Sequence, residues 1–184
     1  MKKTILLLTI LAFSLQTKAQ KINWLSLNEA LELQKTTPKK IMMDVYTNWC
    51  GPCKLLDKKT FQNKDVADYV NKNYYAVKFN GEGNETVNFK GNSYGNPNYD
   101  KTKENKRNSS HGFANFIGIN AYPTIVFMSE KGDLIMPLRG FQNPNQLELY
   151  LKLFKNDEHK NITTKEKFET YNKNFKPEFK VTKD

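Results

Sequence analysis

The chain holds two cysteines, both in Trp49-Cys50-Gly51-Pro52-Cys53-Lys54. A thiolate is the nucleophile in thiol–disulfide exchange, so the first question is what would keep Cys50 ionised. The run Ile41 to Tyr46 ahead of it is apolar except for Asp44, which reads as a strand buried on both faces. Gly51-Pro52 then opens a helix, with Pro52 suited to the first turn because its missing N–H would have no helical partner. Cys50 therefore stands at a helix's leading edge, where free N–H groups and positive partial charge lower a thiol pKa from ~8.5 into the ~3.5–7.5 range. Cys53 falls one turn in, close enough to bond to Cys50 and expected to be the more shielded of the two. As a structural cross-link the pair would close a very short loop and remove little entropy from the unfolded chain, so its placement fits chemistry better. A pKa lowered to ~7 raises the thiolate fraction about 15-fold, while falling nucleophilicity takes back about 5-fold, leaving about 3-fold. Fast exchange must also rely on docking of the target disulfide and on a good leaving group.

The elements that would hold this pair alternate between strand and helix. Leu27, Ala30, Leu31 and Gln34 have helical spacing, and Pro38 stops that helix. The helix opened by Gly51 is expected to run to about Lys59. Asn63 is placed to cap another over Lys64 to Lys72, and Tyr74 to Phe79 has the composition of a strand. Residues 80–110 break the rhythm with four glycines, many asparagines and few aliphatics; they predict a long loop or irregular insertion that buries little surface. A short helix from His111 to Ile117, strands over Thr124 to Met128 and Leu134 to Arg139, and an amphipathic helix from Pro144 to Phe154 follow. A capping box from Thr163 to Glu166 predicts one more helix, Thr164 to about Phe175. The order implies an α/β fold: a central mixed sheet with helices on both faces.

The chain is 184 residues long, with a formal net charge of +10. Met1-Lys2-Lys3, an apolar run from Ile5 to Phe13 and the small residue Ala19 have the layout of a secretory signal, residues 1–19, cleaved near Ala19. The apolar run is about half of the ~20 residues a membrane span needs. Export to the periplasm or cell envelope of a bacterium is therefore expected, with no transmembrane segment left after cleavage. Losing Lys2, Lys3 and Lys18, with no acid, brings the charge to +7. The remaining lysines are spread among acids and no basic cluster alternates with aromatics, so nucleic acid is not an expected partner. The expected organisation is a domain over 20–155, interrupted at 80–110, and a charged extension over 156–184.

The hexapeptide Trp49 to Lys54, at a strand-to-helix junction, resembles the active-site motif of the thioredoxin family. The resemblance covers roughly residues 22–155, and Thr60 to Phe79 looks closer to exported relatives such as the C-terminal domain of the electron-transfer protein DsbD. It implies a thioredoxin-like fold and assigns roles residue by residue. Cys50 would attack the target disulfide and Cys53 would resolve the mixed disulfide. Asp44, six residues before Cys50, matches a buried carboxylate that takes the Cys53 proton, and Lys78 matches a lysine that approaches it. Tyr122-Pro123-Thr124 resembles a cis-proline segment that faces the disulfide. With Trp49, Gly51, Pro52 and Gly140, Tyr122 and Pro123 would line the groove for an extended substrate. Tyr46 stands where thioredoxins often have tryptophan, and the 80–110 insertion departs from the family pattern.

The resemblance implies a protein-disulfide reductase acting on exported proteins as a monomer, needing no cofactor beyond the Cys50–Cys53 disulfide. Gly51-Pro52 between the cysteines is closer to reductants than to oxidases or isomerases, which would use the same pair. The chain has no second redox centre, so a membrane thiol donor is expected to supply electrons. A binding module with an inert disulfide is the competing class. Structural zinc needs four ligands, whereas the only histidines, His111 and His159, are 48 residues apart; no metal site is expected. His111 is expected to start its short helix or lie at the surface.

Overall fold

The computed structural model describes residues 21–181; the expected signal segment lies outside the described residues. In chain order the first elements are β1 (Trp24–Leu25), α1 (Leu27–Thr36), β2 (Lys40–Tyr46), α2 (Gly51–Leu56), α3 (Lys64–Asn73) and β3 (Tyr74–Asn80). A hairpin of β4 (Val87–Phe89) and β5 (Asn92–Tyr94) comes next, then α4 (Gly112–Phe116), β6 (Thr124–Met128), β7 (Leu134–Arg139), α5 (Pro144–Lys155) and α6 (Lys165–Asn174).

Five strands form a mixed sheet in the order β1-β3-β2-β6-β7. β2, apolar on both faces, lies in the middle, parallel to β3 and antiparallel to β6. This register sets Asp44 beside Lys78 on one side and Ile125 on the other. Side chains alternate between the faces. Met42, Ala76, Ile125 and Phe127 join Leu56, Val66, Val70, Leu147 and Phe154 from α2, α3 and α5 in one core. Ile41, Met43, Val45, Val77 and Phe79 join α1, α4 and the β4–β5 hairpin in the other. Each fully buried large side chain contributes about 1.5–3 kcal/mol, so the two layers fix the sheet firmly. Pro137 occurs on the edge strand β7, where a missing donor is tolerated and further strand pairing is blunted.

Several expectations need correction. β1 is an additional strand that pairs in parallel with β3. The helix expected to end near Lys59 becomes a π-helical turn over Asp57–Phe61, which carries Thr60 inward to donate to the Gln142 carbonyl at 2.6 Å. The 80–110 segment is not a loop that buries little. Val87 and Phe89 are core residues, and buried Asn96 donates to the Gly83 and Ser109 carbonyls at 3.0 and 2.8 Å. Its two ends meet where His111 N–H donates to the Gly81 carbonyl at 2.9 Å. Asparagines meeting backbone groups replace the missing aliphatics. His111 does cap α4, but it is fully buried rather than at the surface. The last helix is capped by Thr164 through Lys167 N–H, one residue later than the expected box. The extension itself packs down, with Phe168, Tyr171, Phe175 and Phe179 against the first core.

Candidate functional site

β2 ends at Tyr46, and a short exit through Trp49 turns the chain into α2. Cys50 is the N-cap of α2: its Sγ accepts from Cys53 N–H at 3.1 Å, which satisfies one of the helix's free donors. Pro52 lies in the first turn, and Gly51 and Pro52 are exposed. Cys50 and Cys53 are joined, with S–S 2.04 Å and Cα–Cα 5.3 Å. Cys50 was expected to be the more open partner, yet both cysteines are only 2% exposed. The reason is local: in the bonded state Cys50 Sγ is turned onto the helix end, toward Cys53 and its N–H.

Beside Trp49, the residue before Cys50, the structure gathers residues from distant parts of the chain. The Tyr122–Pro123 peptide is cis, and the Tyr122 ring meets Trp49 edge-on with centroids 6.2 Å apart. Gly140 N–H donates to the Pro123 carbonyl at 2.8 Å, which ties the end of β7 to the cis segment. Gly140 has φ +84°, a conformation open to glycine and strained for other residues. Burial and the Glu82 carboxylate push the Tyr122 hydroxyl up to about 12, so it stays protonated at neutral pH.

Asp44 shares a sheet face with Met42 and therefore points toward the layer that carries α2. Its carboxylate is fully buried, with Oδ2 2.8 Å from Lys78 Nζ. Neither oxygen receives a well-directed hydrogen bond among the described residues, so the Lys78 charge is its main compensation. Burial raises the Asp44 pKa to about 6, Lys78 pulls against it, and Asp57 adds to the rise. A carboxylate so placed can accept a proton near neutral pH. Lys78 is not a surface side chain. It also bonds Asp57 and lies 4.9 Å from the Trp24 ring, 5.0 Å from Tyr46 and 5.5 Å from Phe61. Burial would lower its pKa, but the Asp44 and Asp57 carboxylates outweigh that and hold it above the ordinary lysine value. Tyr46 thus has a definite task, one wall of a ring of aromatics around the ammonium.

Three residues of this site escaped the sequence. Asp57, one turn beyond Cys53, had a usable signal, since i and i+4 share a helix face. Glu82 and Arg107, in the insertion, had none. Trp49 Nε1–H donates to Glu82 Oε2 at 2.7 Å, and the Arg107 guanidinium lies 4.8 Å from the Trp49 ring centre. Among the described residues no group of three or more His, Cys, Asp and Glu is arranged to hold a metal ion.

The thioredoxin-like domain model matches residues 27–155, and the chain belongs to that family. No curated protein matches it in sequence. Among solved structures it is similar to a thioredoxin-fold protein from Helicobacter pylori, at 19% identity and TM-score 0.58, over 82% of this chain and 84% of that one. It is also similar to the oxidoreductase DsbH, at 18% identity and TM-score 0.51, over 75% and 85% of the two chains. A thioredoxin from Thermus thermophilus aligns at 14% identity and TM-score 0.52, over 74% and 88%. These likenesses speak to the fold. A thioredoxin-like fold with a bonded cysteine pair at a helix N-terminus points to thiol–disulfide oxidoreduction as the class of chemistry.

Proposed function

We propose that the protein is a reductant of disulfides in exported proteins, acting as a monomer in the periplasm or cell envelope. The observation that carries this reading is a Cys50–Cys53 disulfide at the start of α2, on the layer faced by a buried carboxylate with a pKa of about 6. In the reduced protein the Cys50 thiolate attacks one sulfur of the target disulfide. A Cys50–target bond forms, the target S–S bond breaks, and the leaving thiolate takes up a proton. Cys53 then passes its proton to Asp44 and attacks Cys50 Sγ. The Cys50–Cys53 bond forms and the second target thiolate leaves and is protonated. Two electrons and two protons have moved to the target. A membrane-embedded dithiol restores the reduced pair by the reverse exchange and is itself oxidised. Lys78 holds Asp44 in place and balances its charge, while Trp49, Tyr122, Pro123 and Gly140 border the groove for the target chain.

The 2% exposure of Cys50 favours a second reading, a redox-inert binding module. One experiment separates the two. Reduced Cys53→Ser protein, mixed with an insulin-type protein disulfide, should accumulate a mixed disulfide through Cys50, seen by intact mass. Cys50→Ser should form none. If Cys53→Ser accumulates no adduct, and the wild-type protein does not speed insulin reduction by dithiothreitol, the inert module is correct.

A further inference from the structure

The segment from Gly81 to Ser110 is folded onto the dithiol site, and it takes contacts that an open groove would leave to a substrate. Gly81 N–H donates to the Tyr46 carbonyl at 2.9 Å, anchoring the segment at the strand that leads to Cys50. A Cβ on Gly81 would lie 2.6 Å from Tyr122 ring atoms, so the chain passes directly against the cis-proline segment. Glu82 Oε2 accepts from Trp49 Nε1–H at 2.7 Å and from Asn108 N–H at 2.8 Å. Asn48 Nδ2 donates to the Glu104 carbonyl at 2.9 Å. Arg107 covers one face of Trp49. The indole is thereby fixed in place by residues 82–108, with its N–H and one face already used.

The exposed charges left unpaired around Trp49 have one sign. Glu82 and Glu85, the segment's two carboxylates without an ion-pair partner among the described residues, are half-buried, Glu82 between two neutral N–H donors. Asp100 faces Lys103 at 3.4 Å and Glu104 faces Lys101 at 3.8 Å, so these exposed pairs largely cancel at a distance. Lys106 and Lys54, both exposed, have no acidic partner among the described residues, and Arg107 is held over the residue next to Cys50. Lys54 lies one helical turn after Cys50, its N–H meeting the Cys50 carbonyl at 3.3 Å.

Resting on the reductase reading above, we propose that the Gly81–Ser110 segment is the substrate-selecting arm of this protein. Its Arg107–Trp49 stack, with Lys106 and Lys54, favours protein disulfides flanked by acidic residues. Rim charges of this kind act mainly on encounter and register, and their effect fades in salt.

The test uses the purified protein, recycled by dithiothreitol, and three peptides with one internal disulfide flanked by Glu, Gln or Lys. At low ionic strength kcat/KM for the Glu peptide should exceed that for the Lys peptide by about 10-fold, and 1 M salt should bring the ratio toward one. Arg107→Glu should invert the order by raising the Lys-peptide rate above wild type, a gain that a misfolded variant cannot show. Equal rates for the three peptides at low salt, or a preference unmoved by Arg107→Glu, would overturn the arm's role and leave the reductase reading intact. Failure to reduce any of them, Gln peptide included, would sink both.

Discussion

A carboxylate in the middle of a buried strand weakens the fold whenever it is charged, and Asp44 is such a group. Its folded pKa is about 6, against an ordinary 3.8. Between those values the folded protein binds more protons than the unfolded one, so stability falls as pH rises from about 4 to about 6 and levels off above. A shift of about two units corresponds to ~3 kcal/mol. Asp44→Asn should therefore be more stable than wild type at pH 7 by ~2–3 kcal/mol and nearly equal to it at pH 4, measured by urea unfolding of the oxidised protein. Asp57 affects the same group in two ways with one sign: its charge raises the Asp44 pKa, and it draws on the Lys78 ammonium that lowers it. Carbon-13 titration should find the Asp44 carboxyl at a lower pH in Asp57→Asn than in wild type. An unchanged titration would mean that Lys78 is not shared.

At the scale of elements, α4 and the insertion depend on one buried imidazole. His111 Nδ1 accepts from Phe113 N–H at 3.0 Å, so the proton is on Nε2, which meets the Glu85 carbonyl at 2.7 Å. The ring also meets Phe79 edge-on at 5.1 Å. His111→Ala strands two backbone groups and leaves a cavity, and thermal unfolding should record a loss of ~2–4 kcal/mol. The sequence put His111 at the start of its helix, but its burial and its Glu85 contact could not be read, because a lone histidine in a polar stretch carries no periodic signal. The insertion misled for the same reason: it buries Val87, Phe89 and Asn96 through contacts distant in the chain, whereas composition reports only the neighbourhood. β1, two residues long, is too short for any alternation to register. By contrast β2, β6 and α5 were legible, since a continuous apolar run and a 3.6-residue stripe are written locally. The cysteine pair and cis-proline segment were legible as a family motif, and the cover over Cys50 was not, since it depends on how the bonded sulfur is turned.

For the molecule as a whole, the charged extension behaves as part of the domain. Buried Glu148 on α5 accepts from Glu178 and Phe179 N–H at 2.9 Å and pairs with Lys152 at 2.7 Å, while Lys180 N–H reaches Asp65 on α3 at 2.7 Å. Ending the chain at Lys176 would leave that carboxylate without its backbone donors. A loss of ~3 kcal/mol, seen as a fall of about 6–12 °C in Tm, is expected.

A reductant needs the bond between Cys50 and Cys53 to open and close at a potential suited to giving electrons away. Equilibrating the purified protein with dithiothreitol or glutathione buffers, then alkylating and weighing it, gives that potential directly. The pair should cycle reversibly with a midpoint between about −220 and −300 mV, the range of thioredoxin-like reductants. A midpoint well above about −200 mV, or a bond that does not cycle at all, would contradict a reductant role.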